Sequence, residues 1–84
     1  MPEEVVGTVM DFFARPVVAG IDMTGTFKQG DKLHIIGHTT DLEFVAESMQ
    51  IDNVSVTEAR QGDALGIRVP DRVRRGDVVY KVTG

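Results

Sequence analysis

The dipeptide Gly-Asp occurs three times in this 84-residue chain, at 30–31, 62–63 and 76–77, each time directly ahead of a run of apolar and β-branched residues. Glycine admits positive φ and aspartate bonds the local backbone of a turn, so each pair opens a hairpin return into a strand. The intervals of 32 and 14 residues are unequal, which makes this repeated turn chemistry and not a repeat architecture. No segment holds an apolar spacing of 3.6 residues for three turns, so the expectation is an all-β chain.

Six strands are expected. They run from Glu3 to Met10, Val17 to Met23, Lys32 to Ile36, Leu42 to Asp52, Ala64 to Val69 and Asp77 to Thr83, and Val54 to Arg60 forms a connection with room for a further short strand or turn. Arg15-Pro16 suits an edge or a bend, because proline cannot donate to a ladder. In the longest run Leu42 and Phe44 share one alternation while Val45, Met49 and Ile51 share the other. One extra residue reconciles the two sets, which predicts a bulge near Phe44–Ala46. Six short antiparallel strands closed or nearly closed into a small barrel would also hide the sheet edges that invite aggregation.

Eighty-four residues make one domain, 1–84, with a single modest core, since a globule of this size buries only about 60–65% of its unfolded surface. The chain has no cysteine, which excludes a disulfide framework and a thiolate metal site and fits a reducing cytoplasm. No apolar run approaches the roughly 18 residues of a membrane span, and the start Met-Pro-Glu-Glu carries acids where a signal peptide carries bases, so no membrane contact is expected. The net charge of −4 is uneven: residues 1–59 hold three basic and ten acidic side chains, and residues 60–84 hold six basic and three acidic. An acidic chain repels phosphate except where a local patch focuses the opposite field.

The ordered pieces Gly7-Thr8-Val9, Ile21 through Leu33 with its Lys28-Gln29-Gly30-Asp31 return, Ser48 through Asp52, Ala59 through Ile67 and Val73 through Val79 together resemble the second domain of translation elongation-factor GTPases. The resemblance spans nearly the whole chain and implies the translation-protein β-barrel. Met49-Gln50-Ile51-Asp52 is also similar to the barrel at the C-terminus of collagenase-like peptidases. In elongation factor Tu this domain helps hold the aminoacylated 3′ end of transfer RNA, and Gln50 falls where an acidic side chain of that family approaches the terminal base. Pro70 stands where the family places a basic residue.

No Gly-x4-Gly-Lys-Ser/Thr loop is present, so the resemblance does not bring GTP binding with it, and no cofactor is expected. His34 and His38 bracket a strand end with no third ligand evident and read as polar surface residues. Ser48 and Ser55 lack a nucleophile elbow, and neither histidine has an evident carboxylate orienter in the sequence. Arg75-Gly76-Asp77 spells an integrin tripeptide, but it repeats the punctuation of the other Gly-Asp turns. Arg72, Arg74 and Arg75 cluster ahead of the last strand, where they could grip a phosphate or an acidic surface. Alternation sends one of Phe12 and Phe13 outward, where Phe13 could stack on a base or anchor a partner. The expectation is a non-catalytic binding module with contacts at Phe13, Gln50, Arg72, Arg74 and Arg75. Its partner would be RNA, the ribosome or a translation factor, or alternatively a collagenase-like peptidase on which it docks.

Overall fold

The computed structural model describes residues 3–15 and 17–83, and within them the chain is all-β with no helix. Ten strands stand where six were expected: β1 (Glu3–Ala14), β2 (Val17–Met23), β3 (Phe27–Lys28), β4 (Lys32–Ile36), β5 (Asp41–Val45), β6 (Met49–Ile51), β7 (Val54–Ser55), β8 (Glu58–Ala59), β9 (Ala64–Arg68) and β10 (Val78–Val82). Eight of them form one sheet in the order β5-β4-β10-β1-β2-β9-β6-β7, and β3 pairs separately with β8. All the pairings are antiparallel. The hydrogen-bonded ladder ends at β5 and β7 and does not close into a ring.

The additional strands come from segments too short to show periodicity. The run read as one strand from Leu42 to Asp52 is two. Its change of parity is resolved by a break at 46–48, where a bulge had been expected: β5 pairs with β4, and β6 pairs with β9 at the other end of the sheet. Ala46 is fully buried at the break, its N–H donating to Asp31 O at 2.9 Å and its carbonyl accepting from Gly30 N–H at 2.8 Å. Three residues span only about 10 Å of extended chain. The sheet must therefore curl until both of its ends lie within that reach.

Curling begins in β1, whose twelve residues continue past the expected end at Met10. Its register against β10 shifts between Val5 and Gly7, and against β2 between Val9 and Asp11. Each extra residue bends the strand and increases its twist. Gly7 sits at the first shift, where a Cβ would lie 2.6 Å from Ile21 Cγ2, so the close approach of β1 and β2 needs glycine there. Arg15 stands in the turn that joins β1 to β2, and Pro16 lies outside the described residues.

All three Gly-Asp pairs form the same turn. Asp31, Asp63 and Asp77 each accept through Oδ2 from the backbone N–H three residues back, at Lys28, Arg60 and Arg74, over 2.8, 2.9 and 2.8 Å. Each aspartate N–H returns a bond to the carbonyl of that same residue. The intervening Gly30, Gly62 and Gly76 have φ of 98°, 92° and 95°, the left-handed region that glycine enters without strain. Asp77 is only 5% exposed, so Arg75-Gly76-Asp77 is a structural turn with its acid turned inward.

The concave side of the sheet packs one apolar core. Val6, Val9, Ile21, Leu33, Ile35, Leu65, Ile67 and Val79 point into it from five strands, and Phe27 of β3 is buried among them. Each such side chain contributes roughly 1.5–3 kcal/mol by leaving water. Opposite alternation leaves the intervening residues of β2, β6 and β9 on the convex surface.

Candidate functional site

Register places a set of outward residues side by side on β1, β2, β9 and β6. Val18 lies opposite Phe13 on one side and Arg68 on the other, and Gly66 lies opposite Gly20 and Gln50. With glycines facing each other in two central strands, the surface there is low, and it forms a depression of about 400 Å³ lined by Phe13, Val18, Gln50 and Gly66, with Arg15 and Asp52 at its rim. A smaller stretch of about 150 Å³ lined by Val18, Ser48, Gln50, Gly66 and Arg68 continues it. Ser48 and Arg68 then border a further depression with Phe44, Val45 and Pro70. These three make one trough across the convex face, with an exposed apolar residue at either end, Phe13 at 56% and Val45 at 49% exposure.

The structure thus brings Phe13 and Gln50 together. Alternation holds at the aromatic pair: Phe13 stands outward while Phe12 packs against the core. Two of the three arginines expected to act as a cluster are engaged separately. Arg72 lies over the Phe12 ring, its Cζ 5.8 Å from the centroid. Arg75 donates through Nε to Met10 O at 2.9 Å and through Nη2 to Asp11 Oδ1 at 3.0 Å. Both side chains tie the loop before β10 to β1, and none of Arg72, Arg74 and Arg75 lines the Phe13–Gln50 depression.

Arg68 is the trough residue that the sequence reading missed. Its guanidinium has no hydrogen-bond or ion-pair partner among the described residues, whereas Lys32, Arg60, Arg75 and Lys81 each meet a carboxylate. The signal available was parity: Gly66 and Arg68 are two apart in a strand whose Leu65 and Ile67 face the core, so both must face outward.

His34 also departs from expectation, because two carboxylates orient it. Glu3 Oε2 lies 2.6 Å from Nδ1 and Asp41 Oδ1 lies 2.6 Å from Nε2, an arrangement that favours the protonated ring, whose two nitrogens both donate. Asp41 first, and then Glu3, raise its pKa above the ordinary histidine value. The bonds join the start of β1 to β4 and to the edge strand β5. Among the described residues no group of three or more histidines and carboxylates is placed to hold a metal ion, and no helix is long and apolar enough to cross a membrane.

No protein-family model matches the sequence. An uncharacterized protease of Methanocaldococcus jannaschii is 40% identical over 76 residues, which is 89% of this chain and 19% of that protein. The chain therefore spans about a fifth of the length of this curated relative. Two crystal structures of the C-terminal domain of a protein described as a U32 peptidase, from Geobacillus thermoleovorans, superpose with a TM-score of 0.88 at 17% identity. They cover 93% and 95% of this chain and 99% and 93% of theirs. At that identity the likeness is one of fold, and the fold is that of a peptidase's C-terminal domain.

Proposed function

We propose that this chain is a non-catalytic docking module that works with a peptidase of the U32 type, its curled sheet serving as a barrel-like platform. The observation that carries the reading is the 40% identity to one fifth of a protease, together with the same fold standing as a separable C-terminal domain in a second peptidase. The convex trough supports it. An aromatic, an amide and a free guanidinium are binding chemistry, and no activated nucleophile or paired acid and base accompanies them there. The resemblance to the elongation-factor domain gains no support from these relatives, and two of the three arginines on which RNA contact was expected to rest, Arg72 and Arg75, are held by Phe12, Met10 and Asp11. We place the pair in the cytoplasm, in keeping with the absence of cysteine.

The test is to co-express the chain with a U32-type peptidase from which the C-terminal domain has been removed. Saturable one-to-one association with a dissociation constant in the micromolar range, about −8 kcal/mol, is the expected result. Failure to co-elute, with peptidase activity and melting temperature unchanged by added chain, overturns the reading.

A further inference from the structure

Gly66 lies in the middle of β9 and has no left-handed backbone. A Cβ built there would sit 3.7 Å from Gln50 O and 3.8 Å from Val18 Cγ1, which is ordinary van der Waals distance. Neither conformation nor packing calls for glycine, and glycine inside a strand weakens it. What the missing side chain supplies is an open floor between Gln50 and Val18. Two residues further along the same face Arg68 presents a guanidinium without a partner among the described residues, in a chain that pairs half of its other lysines and arginines with carboxylates. Exposed Phe13 and half-buried Val18 form an apolar wall beside that floor.

We propose that this trough binds an extended acidic segment of a protein partner. The backbone of the segment lies on Gly66 within reach of the Gln50 amide, a carboxylate pairs with Arg68, and an apolar side chain rests on Phe13 and Val18. The proposal rests on the docking reading and gives the partner a chemistry. Charge favours a polypeptide over RNA. The trough offers Arg68, with Arg15 at its rim, while Asp52 and Glu47 flank it in a chain of net charge −4. One free guanidinium satisfies one carboxylate, whereas RNA would bring a phosphate with every nucleotide toward those acids.

The experiment is an amide NMR titration of the full chain with acetyl-Val-Glu-Val-Glu-Val-amide, with the same peptide carrying Gln for Glu, and with a uridine hexanucleotide. Shifts at Phe13, Gln50, Gly66 and Arg68 should saturate with the acidic peptide below ~1 mM. Binding should weaken about tenfold for the Gln peptide and equally for the Arg68→Gln variant, the worth of one charge-assisted pair. Gly66→Val, which fills the floor, should abolish it, and Arg68→Gln, an exposed change, carries the test if that variant does not fold. No saturable shift by ~1 mM, equal affinity for the two peptides, or tighter binding of the hexanucleotide at the same residues overturns the proposal. Repeating the peptidase co-elution with Arg68→Gln separates the two readings. Co-elution equal to that of the unaltered chain removes the trough and leaves docking in place. Acidic-peptide binding without any co-elution removes docking and leaves the trough.

Discussion

On the outer surface of β4 and β5, Lys32 meets Glu43 at 3.2 Å, and His34 stands between Glu3 and Asp41. Across β2, β9 and β6 the same sheet presents Gly66, Gln50 and an unpartnered Arg68. Both surfaces are convex faces of strands with the same core behind them, so folding alone does not explain the difference. One half satisfies its own charges and the other leaves them for something else. The glycines divide in the same way. Gly37, directly after β4, is indispensable because a Cβ there would lie 1.8 Å from Asp77 Oδ1, while Gly66 has room for one.

Gly37→Ala should give the largest effect. It drives into a buried carboxylate that holds the Arg74 turn, and overpacking of this kind costs about 2 kcal/mol, seen as a fall in Tm of roughly 10 °C. Retention of the wild-type Tm would mean that Asp77 has freedom the packing denies it.

Next comes Asp77→Ala against Asp31→Ala and Asp63→Ala. All three remove the same Oδ2 acceptor, but only Asp77 is buried. Denaturant unfolding should show a loss of about 2 kcal/mol at Asp77 and about 1 kcal/mol or less at the other two. Equal losses would show that burial does not set the value of the turn.

The self-paired half should also be the pH-sensitive half. The folded-state pKa of His34 is raised by Asp41 and Glu3, so folding binds the proton more tightly than the unfolded chain does. This stabilisation is complete below the ordinary histidine value of 6.5 and fades as pH rises through the elevated one. Unfolding free energies measured between pH 5.5 and 9, a range set by ordinary histidine titration, should fall with pH in the wild type and fall less in His34→Gln. Parallel profiles for the two would remove His34 as the cause.

Smallest of all should be Gly66→Ala and Arg68→Gln. The first is expected to be neutral or to stabilise by up to about 0.5 kcal/mol, and the second to stay within about 0.5 kcal/mol. A loss at Gly66 matching that at Gly37 would make both glycines structural and erase the contrast between the halves.

What was legible in the sequence was local. A Gly-Asp pair states its own geometry, and the three turns share one pattern of bonds because two residues and their nearest backbone suffice to define it. Alternation likewise set one of Phe12 and Phe13 outward, and Phe13 is the one that stands there. The parity change around Phe44 was visible, but parity does not distinguish a bulge from a strand that leaves one sheet end for the other, since that depends on partners in β4 and β9. His34 gained carboxylates from positions 31 residues before it and 7 after it. The arginines before β10 looked like a cluster because they are close in sequence, and the fold sends Arg72 to an aromatic ring and Arg75 to an aspartate 64 residues earlier. Arg68 drew no notice because an outward charge on a strand is ordinary until its neighbours are known.

The strand order puts β10 between β4 and β1. β10, which follows the other described strands in chain order, is thus the piece that joins the β4–β5 hairpin to the rest of the sheet. Until it arrives, β4 and β1 each present an unpaired edge, and exposed edges of this kind template aggregation. A stalled or clipped chain lacking β10 would be two sticky fragments on one polypeptide, and its fate would pass to chaperones and proteases before any partner could meet it.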